Sequence, residues 1–119
     1  MGADRVATAL PPLVEAVRAA GHPVIWLTDP MHGNTVRAGD GRKTRHVEAI
    51  IREVVEFQRA VRAGNGQACG LHLEATPADV TECVSRGRDD LRPTDRQLSL
   101  CDPRLNPVQA MDVVSAWLA

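Results

Sequence analysis

The sequence predicts a parallel α/β fold, and three observations carry that reading. Strand-type apolar words recur at residues 23–29, 69–74 and 98–102, stretches of helical type alternate with them, and Gly, Pro and Asn punctuate the joints. The order is one helix followed by three strand–helix units, an alternation that argues for parallel strands joined by right-handed crossovers.

Each element has its own warrant. From Leu10 to Ala20 the apolar residues Leu13, Val14 and Val17 follow Pro11 and Pro12 and stop at Gly21, the proline-start and glycine-end pattern of a helix. Residues 23–29, PVIWLTD, are almost continuously apolar, which predicts a strand covered on both faces. Residues 31–43 are rich in Gly and polar side chains and read as an irregular functional loop. Between Arg45 and Ala63 the residues Val47, Ile50, Ile51, Val54, Val55 and Val61 fall at helical spacing. CGLHLE, residues 69–74, is the second strand, and a helix is expected to start after Thr76 or Pro77. The charged stretch from Arg86 to Arg96 reads as a solvated connection. LSLCD, residues 98–102, is the third strand, and Asn106 with Pro107 caps and opens a last helix.

Bulk properties exclude several classes of function. Fourteen Lys and Arg against fifteen Asp and Glu leave a net charge of −1, so no long-range field attracts nucleic acid or an anionic membrane. Two Trp, one Phe and no Tyr supply no stacking platform for single-stranded bases. No apolar run approaches the roughly 20 residues of a membrane span. Cys69, Cys83 and Cys101 are odd in number and lack a CxxC pair, which fits free thiols in a reducing compartment and hence a cytoplasmic location.

Three ligand-type residues occupy equivalent places in the three units: His32 after the first strand, Glu74 at the end of the second and Asp102 at the end of the third. Parallel strands in an α/β barrel bring such ends to one mouth. One imidazole and two carboxylates form a hard donor set suited to Mn²⁺, Mg²⁺ or Co²⁺, although a carboxylate at a strand end is also often a helix cap or half of an ion pair. His72 shares strand parity with Glu74 and reads as a packed histidine or a polar neighbour in the interior. Cys83 and Cys101 read as small buried apolar residues. Lys43 is the only lysine beside thirteen arginines, which fits a contact needing a compact ammonium, or a solvated residue near a helix start. Arg45 either holds a phosphate or pairs with Glu48 or Asp40, and Arg104 is placed to support the carboxylate of Asp102.

Five longer words surround these residues: Asp29-Pro30-Met31-His32-Gly33-Asn34-Thr35, Lys43-Thr44-Arg45, His72-Leu73-Glu74, Val80-Thr81-Glu82-Cys83 and Cys101-Asp102-Pro103-Arg104-Leu105-Asn106. In order and spacing the chain resembles the C-terminal portion, about the last quarter, of the type II (class II) 3-deoxy-D-arabino-heptulosonate 7-phosphate (DAHP) synthases. It departs from them at Ala68-Cys69-Gly70, where Pro-Gly-Gly is usual, and at Gln97, where the family has tyrosine.

The resemblance implies a partial (β/α)₈ barrel, its last three βα units preceded by a helix. It implies metal ligation by His32, Glu74 and Asp102, a fourth ligand outside these residues, and a divalent metal, Mn²⁺ foremost with Co²⁺ an alternative. It also implies substrate contacts at Lys43 and Arg45, and the condensation of phosphoenolpyruvate with erythrose 4-phosphate at the head of the shikimate pathway. Because a closed barrel takes at least about 200 residues, residues 1–119 are expected to form a single incomplete domain. Such a chain would self-associate or pair with a chain supplying the first five βα units. The alternative is a non-catalytic accessory module that keeps the metal site and binds a full-length synthase, and an unrelated α/β binding module is the third class.

Overall fold

The computed structural model describes residues 1–85 and 96–118. The elements run α1 (Val6–Ala19), β1 (Trp26–Thr28), a 3₁₀ turn (His32–Asn34), β2 (Thr35–Arg37), β3 (Lys43–Arg45), α2 (Val47–Ala63), β4 (Ala68–Leu71) and α3 (Pro107–Leu118). β1 and β4 pair in parallel, with Leu27 opposite Gly70 and Thr28 opposite Leu71. The parallel α/β character expected from the sequence is present.

α2 is the central element because its apolar residues repeat at helical spacing on more than one side. Phe57, Ala60 and Val61 meet Val6, Leu10 and Val14 of α1 in one cluster. Val47, Ile50 and Val54 meet Val113 of α3, Met31, Cys83 and Leu105 in another. α1 begins at Val6, a turn before its prolines, so Pro11 and Pro12 lie inside the helix. The buried stripe Val6, Leu10, Val14, spaced by four, outweighs the N–H groups that the prolines lack. Leu13, expected on the apolar face, is exposed. The chain passes from α2 to β4 directly beneath α1: a Cβ on Gly66 would lie 2.7 Å from Cγ1 of Val14.

Several expected elements differ. The first strand is confined to residues 26–28 and is not covered on both faces, since Ile25 and Leu27 are 69% and 57% exposed. Within the expected irregular loop, β2 and β3 form an antiparallel hairpin, with Thr35 opposite Arg45 and Arg37 opposite Lys43. Its tip closes through hydrogen bonds from Ala38 N to Arg42 O and from Gly41 N to Ala38 O, with Gly41 at φ 84°.

Among the described residues no helix starts at Thr76 or Pro77. The Thr76 hydroxyl accepts from Ala78 N, and Val84 is drawn into a parallel bridge with His46. Residues 98–102 form no strand either, because backbone donors within and just beyond them go elsewhere: Leu98, Ser99 and Arg104 give their N–H groups to the Glu82 carboxylate. The third parallel contact falls instead between Ala75 and Leu105. The connection expected from residue 86 lies outside the described residues up to 95.

α3 starts as expected. Asn106 Oδ1 accepts from Gln109 N, while Gln109 Oε1 accepts from Asn106 N, a reciprocal capping box behind Pro107.

Candidate metal centre

The word at residues 29–35 builds the first side of the site, and each polar residue in it has a mechanical part. The Asp29 carboxylate accepts hydrogen bonds from the N–H groups of Met31 and His32, a tight side-chain turn after the end of β1. Its other oxygen lies 2.6 Å from His32 Nδ1, and as a carboxylate it accepts the hydrogen bond of the tautomer protonated there, whose Nε2 lone pair then faces the opposite side of the site. Partial burial pushes the Asp29 carboxyl up, but the N–H groups and the imidazole outweigh it and hold it below its ordinary value. Met31 is fully buried and pins the turn to the core. Asn34 locks the far end, donating to Pro30 O and to the buried carboxylate of Glu53 on α2.

Two carboxylates face that imidazole. His32 Nε2 lies 3.8 Å from Glu74 Oε1 and 3.9 Å from Asp102 Oδ2, and one ligand atom from each residue falls within 4.8 Å of the others. Octahedral ligands at bonds of about 2.1 Å stand roughly 3 Å apart when adjacent and about 4.2 Å apart when opposite. The trio needs only a slight closure to fit an ion, and its chemistry suits a hard divalent one.

Cations support the carboxylates from behind. Arg45, at the end of β3, is completely buried: Nε donates to Thr35 Oγ1, and Nη1 donates to Glu74 Oε2 at 2.6 Å and to the carbonyl of Pro103. Its Nη2 is buried without a hydrogen bond and points to within 3.8 Å of Asp102 Oδ2. The partners expected for Arg45, Asp40 and Glu48, are not the ones it takes. Lys43 donates to Asp102 Oδ1 at 2.7 Å, and this ammonium, helped by Arg45 and His32, holds the Asp102 carboxyl below its ordinary value.

With this geometry in view, comparison with known proteins is decisive: residues 1–117 match the Class-II DAHP synthetase family. The chain belongs to that family. It is 56% identical over its whole length to a probable phospho-2-dehydro-3-deoxyheptonate aldolase of Pseudomonas fluorescens, covering 30% of that protein. It is 45% identical over 117 residues to the phospho-2-dehydro-3-deoxyheptonate aldolase of Streptomyces coelicolor, covering 26% of it. A third relative, from Mycolicibacterium smegmatis, is 43% identical over 116 residues and is covered to 25%. The chain thus spans between a quarter and a third of the length of these relatives.

Other expected participants fall outside the trio. Among the described residues Arg104 makes no ion pair with Asp102; its side chain is exposed and its backbone N–H goes to Glu82. The carboxylate support expected of Arg104 comes from Lys43 and Arg45. His72 is exposed rather than packed, and Cys101 is exposed rather than buried. Cys83 is buried as expected, and burial pushes its thiol up to about 12, so it stays protonated. Alkylation of the native chain at neutral pH is therefore expected to modify Cys69 and Cys101 and spare Cys83, a pattern that peptide mass mapping reads directly; modification of Cys83 at a comparable rate would contradict it.

Two functional residues escaped the sequence reading. Asp29 orients His32, and an acidic residue followed by proline three positions before a histidine is the signal that would have found it. Glu82 is buried yet accepts four hydrogen bonds, and its place in the word at residues 80–83 was the signal that it had a part to play.

Proposed function

We propose that this chain supplies most of the metal site of a DAHP synthase, the activity joining phosphoenolpyruvate to erythrose 4-phosphate with release of phosphate, at the head of the shikimate pathway. The observation that carries this reading is the convergence of His32, Glu74 and Asp102 in a class-II family chain. His32 Nε2 and one oxygen each from Glu74 and Asp102 would hold a divalent ion, Mn²⁺ foremost and Co²⁺ next, and a bound ion of this kind supplies Lewis acidity toward a carbonyl oxygen. The protein's own groups do the rest. Asp29 holds the imidazole tautomer, Arg45 orients Glu74 and offers a free N–H toward Asp102, and Lys43 sets the charge of Asp102.

Lys43 also lines an open cleft with Arg42, Glu82, Ser99, Cys101 and Asp102. Exposed at that cleft, Lys43 is the better of the two expected residues for touching an anionic substrate. Arg45, sealed behind the carboxylates, is suited to holding them in place.

The reading extends to architecture. β1 and β4 would be strands of a (β/α)₈ barrel, with the contact at Ala75 and Leu105 near the next. The exposed Ile25 and Leu27 would be covered by residues corresponding to the remainder of the relatives' length, on the same or a separate polypeptide, or by a second copy of the chain. Such an enzyme would act in the cytoplasm.

The test is complementation. The purified chain is mixed with a polypeptide corresponding to the preceding part of the Pseudomonas fluorescens relative, with Mn²⁺ and both substrates, and loss of phosphoenolpyruvate is followed by its ultraviolet absorbance. Turnover by the mixture that disappears with His32→Ala is the expected outcome. A mixture that co-purifies and binds Mn²⁺ without turnover favours the accessory-module reading, and one that binds no metal overturns the enzyme reading.

A further inference from the structure

Asp102 sits in a stretch without regular secondary structure, yet that stretch is held at both ends by one side chain. Glu82 is 2% exposed. Its Oε1 accepts the N–H groups of Leu98 and Ser99, both at 2.8 Å, and its Oε2 accepts the Ser99 hydroxyl at 2.7 Å and the Arg104 N–H at 2.8 Å. All four donors lie in the segment that carries Asp102, two residues on one side of it and one on the other. A buried carboxylate with four acceptor sites filled by four donors is fully satisfied, and two of those donors, the N–H groups of Leu98 and Ser99, are ones a strand at 98–102 could have given to a neighbour. Burial raises the Glu82 carboxyl, but the hydrogen bonds from Ser99, Arg104 and Leu98 outweigh it and hold it below its ordinary 4.5.

We propose that Glu82 is a positioning residue for Asp102: it shapes residues 98–104 into the loop that brings Asp102 to His32 and Glu74, and so sets the affinity of the site for its ion. The proposal rests on the metal reading above. Glu82 reaches the inner wall of the cleft beside Lys43 but is not one of the three groups that meet at the ion site, so it acts on the ion through Asp102. Its neighbours complete the frame. The adjoining backbone carbonyl accepts the Thr44 hydroxyl, which ties the same turn to β3, and Asn106 donates to Val80 O, which ties it to the start of α3. The loop is therefore referenced to the strand bearing Lys43 and Arg45, the two cations that meet Asp102.

Glutamine is the informative replacement. Its oxygen still accepts two hydrogen bonds, while its NH₂ group presents donors to donors, so half of the frame is lost with little change in volume. The experiment uses the full 119-residue chain, with Mn²⁺ affinity read from the electron paramagnetic resonance of the free ion and peptide-level hydrogen exchange over residues 96–104. Glu82→Gln is expected to weaken Mn²⁺ about tenfold, the lower end of what loss of a supporting partner costs a metal site, and to raise exchange selectively in that peptide. Ser99→Ala removes one of the four hydrogen bonds and is expected to weaken Mn²⁺ by roughly threefold; it carries the test should Glu82→Gln not fold. Val61→Ala, in the α1–α2 cluster, is the control for lost stability and is expected to change neither reading. Wild-type affinity in both Glu82→Gln and Ser99→Ala, or equal weakening in Val61→Ala, overturns the proposal. If the wild type binds no Mn²⁺ the metal reading fails, and exchange alone decides the anchoring role: a selective rise over 98–104 supports it, and no rise overturns it.

Discussion

Arg45→Ala is expected to destabilise the chain by about 3 kcal/mol, the lower end of the cost of breaking a buried ion pair. The guanidinium is sealed from solvent and connects Thr35, Glu74 and Pro103, residues from three segments that share no regular ladder. Its removal leaves Glu74 facing Asp102 with no counter-charge behind it. Glu74 is about one quarter exposed, so water relieves part of the penalty, which is why the lower end of the range applies. Arg45→Lys keeps the charge but cannot reach three acceptors with one ammonium, and it is expected to recover less than half of the loss. Urea unfolding followed by circular dichroism measures both variants. A loss below about 1 kcal/mol for Arg45→Ala would put the pair in the class of exposed surface ion pairs and remove its supporting role.

Removal of a ligand should act on ion binding rather than on folding. His32→Ala and Asp102→Asn are each expected to lower Mn²⁺ affinity at least about 100-fold, at or beyond the upper end of what loss of a supporting partner costs. Asp29→Asn, which keeps the turn but frees the imidazole to rotate, is expected to cost about tenfold. His32 is more than half exposed and packs against little, so its loss should leave the unfolding midpoint nearly unchanged. Isothermal titration with Mn²⁺ gives the affinities. Equal binding by wild type and His32→Ala would show that the imidazole is not a ligand.

The sequence was most legible where one physical effect dominates. Helical spacing from Val47 to Val61 located α2 because burial against two partners demands it, and Asn106 with Pro107 located α3 because the cap and the first turn are local. The meeting of His32, Glu74 and Asp102 was also legible, although the third strand expected before Asp102 is absent and an irregular stretch carries that carboxylate to the other two.

What was missed depends on long-range competition for backbone groups. LSLCD has the composition of a strand, but Glu82, 16 residues before Leu98, takes its N–H groups, and no local pattern reports such a partner. The hairpin at 35–45 was hidden because Thr35 and Lys43 to Arg45 carry polar residues chosen for the site, so the alternation that normally betrays strands is absent. Arg104 was credited with supporting Asp102 because it is near in sequence; the cations that do so, Lys43 and Arg45, stand some sixty residues away along the chain.

That separation has a kinetic meaning. The hydrogen bonds from Lys43 to Asp102 and from Arg45 to Pro103 close loops of 59 and 58 residues. Helix α2 can form from local contacts, whereas these closures must first meet the entropy of joining distant segments. The ion-binding geometry is therefore expected to mature late when the chain folds. An ion that binds only the finished geometry would serve as a clock for folding, its capture lagging the appearance of helix in a stopped-flow refolding experiment.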